Sequence, residues 1–170
     1  VRADGAKALV VDLRYNGGGY VDSALQISSD FISGKPLYTV VQRGEAPQTF
    51  DADVSDISTL PLAVLVNAYS ASASEITAGA LQDDNAAVLV GEKTFGKGVM
   101  QTVTRLPGGA AIKITTAHYL TPAKRDINLR GLQPDLKVSE NKKAVLGDPA
   151  RDAQLQAAID LLQKKIALAK

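Results

Sequence analysis

Three short stretches of this 170-residue chain set chemically capable groups at the ends of apolar runs. The first is Asn16-Gly17-Gly18-Gly19, directly after the run ending at Leu13. A glycine run there frees backbone N–H groups to point at an anion or a developing oxyanion, although a flexible turn also needs glycine. No G-K-[S/T] follows and the G-x-G-x-x-G spacing is absent, which argues against a phosphate loop. The second is Ser70-Ala71-Ser72-Ala73-Ser74-Glu75. A serine at a strand-to-helix turn presents its hydroxyl near the helix's positive end, where the next N–H can stabilise a tetrahedral oxyanion. Three serines and a glutamate are equally what an ordinary helix cap uses. The third is Thr94-Phe95-Gly96-Lys97-Gly98, with Gln101 beyond it. A lysine between two glycines is an unusual place for a solvated charge, and as a base it would need burial to hold it neutral. Serine activated by lysine is an established variant of the nucleophile–base arrangement.

The elements that must position these groups can be read from hydropathy. Lys7–Leu13 and Leu62–Val66 are nearly continuous apolar runs, which suit strands covered on both faces. Helical spacing of Val21, Ala24, Leu25, Ile27, Ser28 and Phe31 predicts a helix over 20–32, closed by Gly34 and Pro36. Leu37–Val41 predicts a second strand, and the polar stretch 44–60 an exposed excursion with one short strand. A small-residue helix over Ser72–Gln82 and a strand over Ala86–Val90 complete a βαβ unit with Leu62–Val66. Val99–Leu106 and Ala110–Leu120 flank Pro107-Gly108-Gly109 and predict a hairpin. Asp148-Pro149 predicts the start of a last helix, packed by Leu155, Ile159, Leu162 and Ile166. The three candidate stretches then all lie past the C-terminal ends of strands, where α/β folds build their clefts.

Composition narrows the chemistry. Lys and Arg number 19 against 18 Asp and Glu, so net charge provides no case for nucleic acid or an anionic membrane surface. No apolar run reaches the roughly 20 residues that span a bilayer. Absence of cysteine removes a thiol nucleophile, a disulfide framework and thiolate metal sites. His118 is the only histidine, so any Ser-His-Asp triad would have to use it, and no multi-histidine metal centre exists. The polar opening Val1–Gly5, without an initiator Met or an apolar leader, suggests a piece of a longer chain.

D-L-R-Y-N-G-G-G at 12–19, S-A-S-A-S-E-I-T-A-G-A-L-Q-D at 70–83 and G-E-K-T-F-G-K-G-V-M-Q at 91–101 resemble the core of the carboxyl-terminal processing peptidases, also called tail-specific proteases. A-H-Y-L-T-P at 117–122 and G-L-Q-P-D at 131–135 follow in the family's order, and the resemblance spans about residues 7–165. The resemblance implies an α/β fold: a crotonase-like and ClpP-like core of βαβ units, with an antiparallel hairpin extension and a C-terminal helix. It also implies a single serine-protease core domain over 1–170, lacking the PDZ module and N-terminal helical segment usual in the family.

By the same resemblance Ser72 is the nucleophile, Lys97 the general base and Gln101 the residue that orients the lysine. The oxyanion donors are the backbone N–H groups of Ala73 and of a glycine in 17–19, for which Gly18 is chosen. In a straight strand four residues cover about 13 Å, so Gln101 needs a bend to reach the lysine, and Gly98 is the expected place. His118 is expected to be a strand residue without catalytic duty, and Glu75 a capping carboxylate at the third helical position. The implied substrates are proteins or peptides with accessible C-terminal tails, cleaved outside the cytoplasm in the periplasm or cell envelope. No metal or cofactor is implied, and a homo-oligomer is left open. The competing reading is a non-catalytic module holding an apolar ligand or peptide on the same fold, or a core that is inactive when truncated.

Overall fold

The computed structural model describes residues 5–141 and 143–168; the polar opening stretch 1–4 lies outside the described residues. Along the chain run β1 (Leu9–Asp12), α1 (Val21–Ser29), β2 (Pro36–Gln42), β3 (Gln48–Asp51), β4 (Leu62–Val66), α2 (Ala73–Asp83), β5 (Val88–Gly91), β6 (Val99–Arg105), β7 (Ala111–Leu120), β8 (Leu136–Lys137) and α3 (Ala153–Leu168). Strands β1, β4, β5 and β8 form a parallel sheet in the order β1-β4-β5-β8. An antiparallel sheet follows the order β3-β2-β7-β6.

Burial on both faces explains why β4 is apolar at every position. Leu62, Val64 and Val66 pack with Ala24 of α1 and with Ile76, Ala80 and Leu81 of α2. Ala63 and Leu65 point the other way, onto Ala158 and Leu162 of α3. A period of two thus divides one strand between two helical layers. The sheet's C-terminal edge then opens toward the loops at 13–19, 67–72 and 92–97.

Three expectations are corrected. The last helix begins at Ala153, because Asp148–Arg151 closes a turn of its own (Arg151 N–H to Asp148 O, 2.9 Å) and Asp152 accepts from Leu155 N–H at 3.0 Å as the cap. Its packed stripe runs through Leu155, Ala158 and Leu162, with Ile159 and Ile166 half-buried at the margin. The irregularity that bends the hairpin lies between Met100 and Gln101: these pair with Ala117 and Thr115, so the register skips Thr116, whose hydroxyl meets that of Thr102 at 3.1 Å. Gly98 is needed for a different reason, since a Cβ there would lie 2.7 Å from Asn128 N. The two-residue strand β8 carries no apolar run long enough to announce itself, and it is held by Leu89 N–H donating to Asp135 at 2.7 Å.

Candidate active site

The turn between β4 and α2 is tied to the end of β1 by the serine and asparagine side chains around it. Ser70, fully buried, donates to Leu13 O at 2.7 Å and accepts from Asn67 N–H at 3.0 Å. Asn67 Oδ1 accepts from the backbone N–H of both Tyr15 and Tyr69 at 3.1 Å, and Ala71 N–H donates to Asn16 O at 3.1 Å. The glycine loop and the serine turn are therefore one rigid unit. Of the three serines, Ser70 is engaged in this lock and Ser74 is buried. Ser72 is half-buried and lines a cavity with Lys97 and Gln101.

Ser72 holds φ 59° and ψ −121°, a backbone conformation that non-glycine residues avoid. Glu75 is what over-determines it. Its fully buried carboxylate accepts from Ser72 N–H (3.0 Å), Lys97 N–H (2.8 Å), Gly96 N–H (2.8 Å) and Thr94 Oγ1–H (2.5 Å). Leu132 N–H in turn donates to Thr94 Oγ1 at 2.7 Å, so the G-L-Q-P-D segment supports the same carboxylate. Glu75 is thus the expected cap and also the pin between the serine turn and the lysine loop. No catalytic contact is needed for that role.

Tyr119 makes a second clamp that motif reading missed. Its buried hydroxyl lies against the carbonyls of Ser72 (3.2 Å) and Lys97, and one proton bridges the two segments. Burial pushes this phenol up in pKa, with the Glu75 charge adding to the effect, so it stays a neutral donor. The signal was available as the tyrosine of A-H-Y-L-T-P, but nothing local said that β7 would run beneath Lys97. His118, its neighbour, is exposed on β7, pairs across the ladders with Val41 and Val99, and does not line the cavity that holds Ser72 and Lys97.

Gly18 is where the two loops touch. At φ 95° its Cα packs on the serine turn, where a Cβ would come within 2.6 Å of Ala71 O and 2.8 Å of Ala73 N. Its N–H donates to Asn16 Oδ1 at 2.9 Å in this state. Ala73 opens α2, so its N–H belongs to the helix's positive end.

Two cavities meet at Gly19 on either side of this junction. One, of about 280 Å³, is walled by Val11, Leu13, Ala24, Ile27 and Ala73, with Gly18 at its rim. The other, of about 380 Å³, contains Ser72, Lys97, Gln101 and Lys113. Lys97 is half-buried there, and among the described residues its ammonium has no ion-pair partner. A hydroxyl, an amine and an amide facing one space, beside backbone N–H groups, are suited to acyl transfer.

Fold and site define a peptidase of a particular kind: the chain belongs to peptidase family S41, whose model matches residues 1–138. Its relatives narrow the group. The carboxyl-terminal-processing protease of Picosynechococcus sp. is 41% identical over 172 residues, a match covering all of this chain and 41% of that protein. The protein of the same name from Synechocystis sp. is 42% identical, covering 97% of this chain and 39% of its own length. Among solved structures, the photosystem II D1 C-terminal processing protease superposes with a TM-score of 0.76 at 38% identity, over 81% of this chain and 36% of that one. The chain thus spans about two fifths of the length of the curated relatives it matches.

Proposed function

We propose that this chain is the catalytic core of a serine endopeptidase that cuts proteins near their C-termini. Ser72 is the nucleophile and Lys97 takes the hydroxyl proton as Ser72 Oγ attacks the scissile carbonyl carbon. The resulting oxyanion is held by the N–H groups of Ala73 and Gly18, the latter exchanging Asn16 Oδ1 for the substrate oxygen. Lys97 returns the proton to the leaving amine, the C–N bond breaks, and water hydrolyses the acyl-enzyme by the same route. Gln101 orients the lysine amine. The observation that carries the reading is the presence of Ser72, in its strained turn, with Lys97 and Gln101 in one cavity.

The apolar cavity beside Gly18 and Ala73 supports an apolar side chain on the acyl side of the cut. Placement outside the cytoplasm, in a periplasm, cell envelope or equivalent compartment, follows the family and one relative described as chloroplastic.

The test is cleavage of an unfolded protein with an apolar C-terminal tail by the wild type, Ser72→Ala and Lys97→Ala. Loss of cleavage in both variants, with stability within about 1 kcal/mol of wild type, is the expected result. Cleavage retained by either variant would remove the dyad. If the wild type cuts no tail, capture of apolar ligands by the 280 Å³ cavity becomes the better reading.

A further inference from the structure

We propose that Asn16 is a gate that couples filling of the apolar cavity to opening of the oxyanion site, an inference that rests on the protease reading above. The Asn16 side chain belongs to both places. It lines the cavity of about 280 Å³ together with Gly18 and Ala73. Its Oδ1 also accepts the Gly18 N–H at 2.9 Å. An oxyanion donor works at about 2.7–3.1 Å from the oxygen it stabilises, so Asn16 Oδ1 stands at the distance from Gly18 N that the substrate oxygen must take. While it stands there, the Gly18 proton is already given away.

This bond is not what holds the loop. Backbone ties do that: Asn16 N–H donates to Leu13 O at 3.3 Å, Ala71 N–H donates to Asn16 O at 3.1 Å, and Tyr15 N–H donates to Asn67 Oδ1 at 3.1 Å. Gly18 is wedged besides against the backbone of Ala71 and Ala73. Asn16 itself is exposed, and the Gly18 N–H is the one hydrogen-bond partner of its carboxamide among the described residues. The side chain therefore turns away with the loop in place, giving up a single neutral hydrogen bond, worth about fivefold in the equilibrium between closed and open gate. The cavity decides when it turns. Its other walls include Val11, Leu13, Ala24 and Ile27, so a large apolar side chain of the substrate packs there and drives out the water around the carboxamide. A polar group stripped of water on that side is better placed in the open solvent, and Gly18 N–H is released to the oxyanion. An alanine at the same substrate position leaves the cavity wet and the gate closed. Part of the binding energy of the large side chain then goes into assembling the site, which places its effect in kcat as well as KM.

The experiment compares two peptides that differ only in the residue on the acyl side of the cut, leucine in one and alanine in the other. Wild type, Asn16→Ala and Asn16→Asp are assayed for kcat and KM separately. Wild type is expected to favour leucine in both constants. Asn16→Ala raises kcat on the alanine peptide by about fivefold and on the leucine peptide by much less, so the leucine-to-alanine ratio of kcat narrows. Asn16→Asp holds the Gly18 N–H by a charge-assisted bond and opposes the incoming oxyanion, and it lowers kcat on both peptides by about tenfold. A side chain that merely supports the loop gives the reverse order: alanine lowers kcat equally on both peptides, and aspartate, which makes the same turn, preserves it. That order, or an unchanged kcat ratio in Asn16→Ala, overturns the gate while leaving the protease reading standing. Cleavage of neither peptide, nor of the longer protein tail, by wild type overturns both.

Discussion

Gly18 sits at φ 95° with the Ser72 turn packed directly on its Cα, and the atoms a methyl group would meet are backbone, at 2.6 and 2.8 Å. Backbone cannot swing aside as a side-chain tip does. Gly18→Ala is therefore expected to separate the two loops, lowering kcat/KM by more than about 100-fold and destabilising the chain by at least about 1 kcal/mol. Cleavage assays with thermal melts check both. Glu75 makes a second residue-scale case. A glutamine there would turn an NH2 toward some of the four donors that the carboxylate now accepts from. Glu75→Gln is expected to cost about 3 kcal/mol and to reduce kcat more than it raises KM, because it releases Ser72 and Lys97 from each other without touching substrate. Wild-type kcat in this variant would show that the pin is dispensable. These residues differ in how visible they were. The glycine run and the Ser–Lys pair stood out from their types and neighbours, whereas Glu75 looked like a cap because a cap is all that its own helix reveals.

At the level of elements, the hairpin decides whether Gln101 can serve Lys97. A regular ladder from Val99 onward would carry the ribbon straight out, but the register shift that skips Thr116 bends it. Deletion of Thr116 is expected to straighten the arm and lower kcat/KM by about tenfold, with little loss of stability because the arm beyond it is exposed on both faces. Unchanged kcat/KM in the deletion would remove the bend from the mechanism. The hairpin itself was legible from Pro107-Gly108-Gly109 and the β-branched residues around Ile112 and Ile114. Its bend was expected at Gly98, since glycine is the residue that usually permits one. A mismatch between two strands belongs to their pairing and cannot be read from either strand alone.

Across the whole molecule, a buried ion cluster joins the first strand to the last helix. The Arg14 guanidinium reaches Asp152 at 2.8 and 2.7 Å and Asp12 at 2.7 Å, with Gln154 at 3.1 Å. Burial alone would raise the pKa of Asp152, but the Arg14 hydrogen bonds and the N–H groups of Leu155 and Gly147 outweigh it and bring the carboxyl down to about 2 from 3.8. Because the folded value is the lower one, the stability that Asp152 adds is complete above about pH 4 and is lost as pH falls toward 2. Thermal melts of wild type should drop across that window, and Asp152→Asn should flatten the drop while costing about 3 kcal/mol at pH 7. An unaltered acid limb in the variant would place the titration elsewhere. This cluster anchors the strand that leads into the glycine loop, so losing it loosens the Gly18 side of the site as well as the α3 contact.

What the sequence determined by itself is the main elements, short of β8 and the start of α3, and the groups with reactive potential. Continuous apolar runs dictate covered strands, helical periodicity dictates α1 and α2, and Asn16–Gly19, Ser72 and Lys97 declare themselves by residue type at strand ends. Tertiary structure alone decided which of three serines shares a cavity with the lysine, and that Tyr119 and Glu75 bind both halves of the site. The reason is physical: hydropathy and local propensity act over a few residues, whereas the Glu75 and Tyr119 contacts that join the serine turn to the lysine loop and β7 link residues 19 to 47 apart, which only folding brings together.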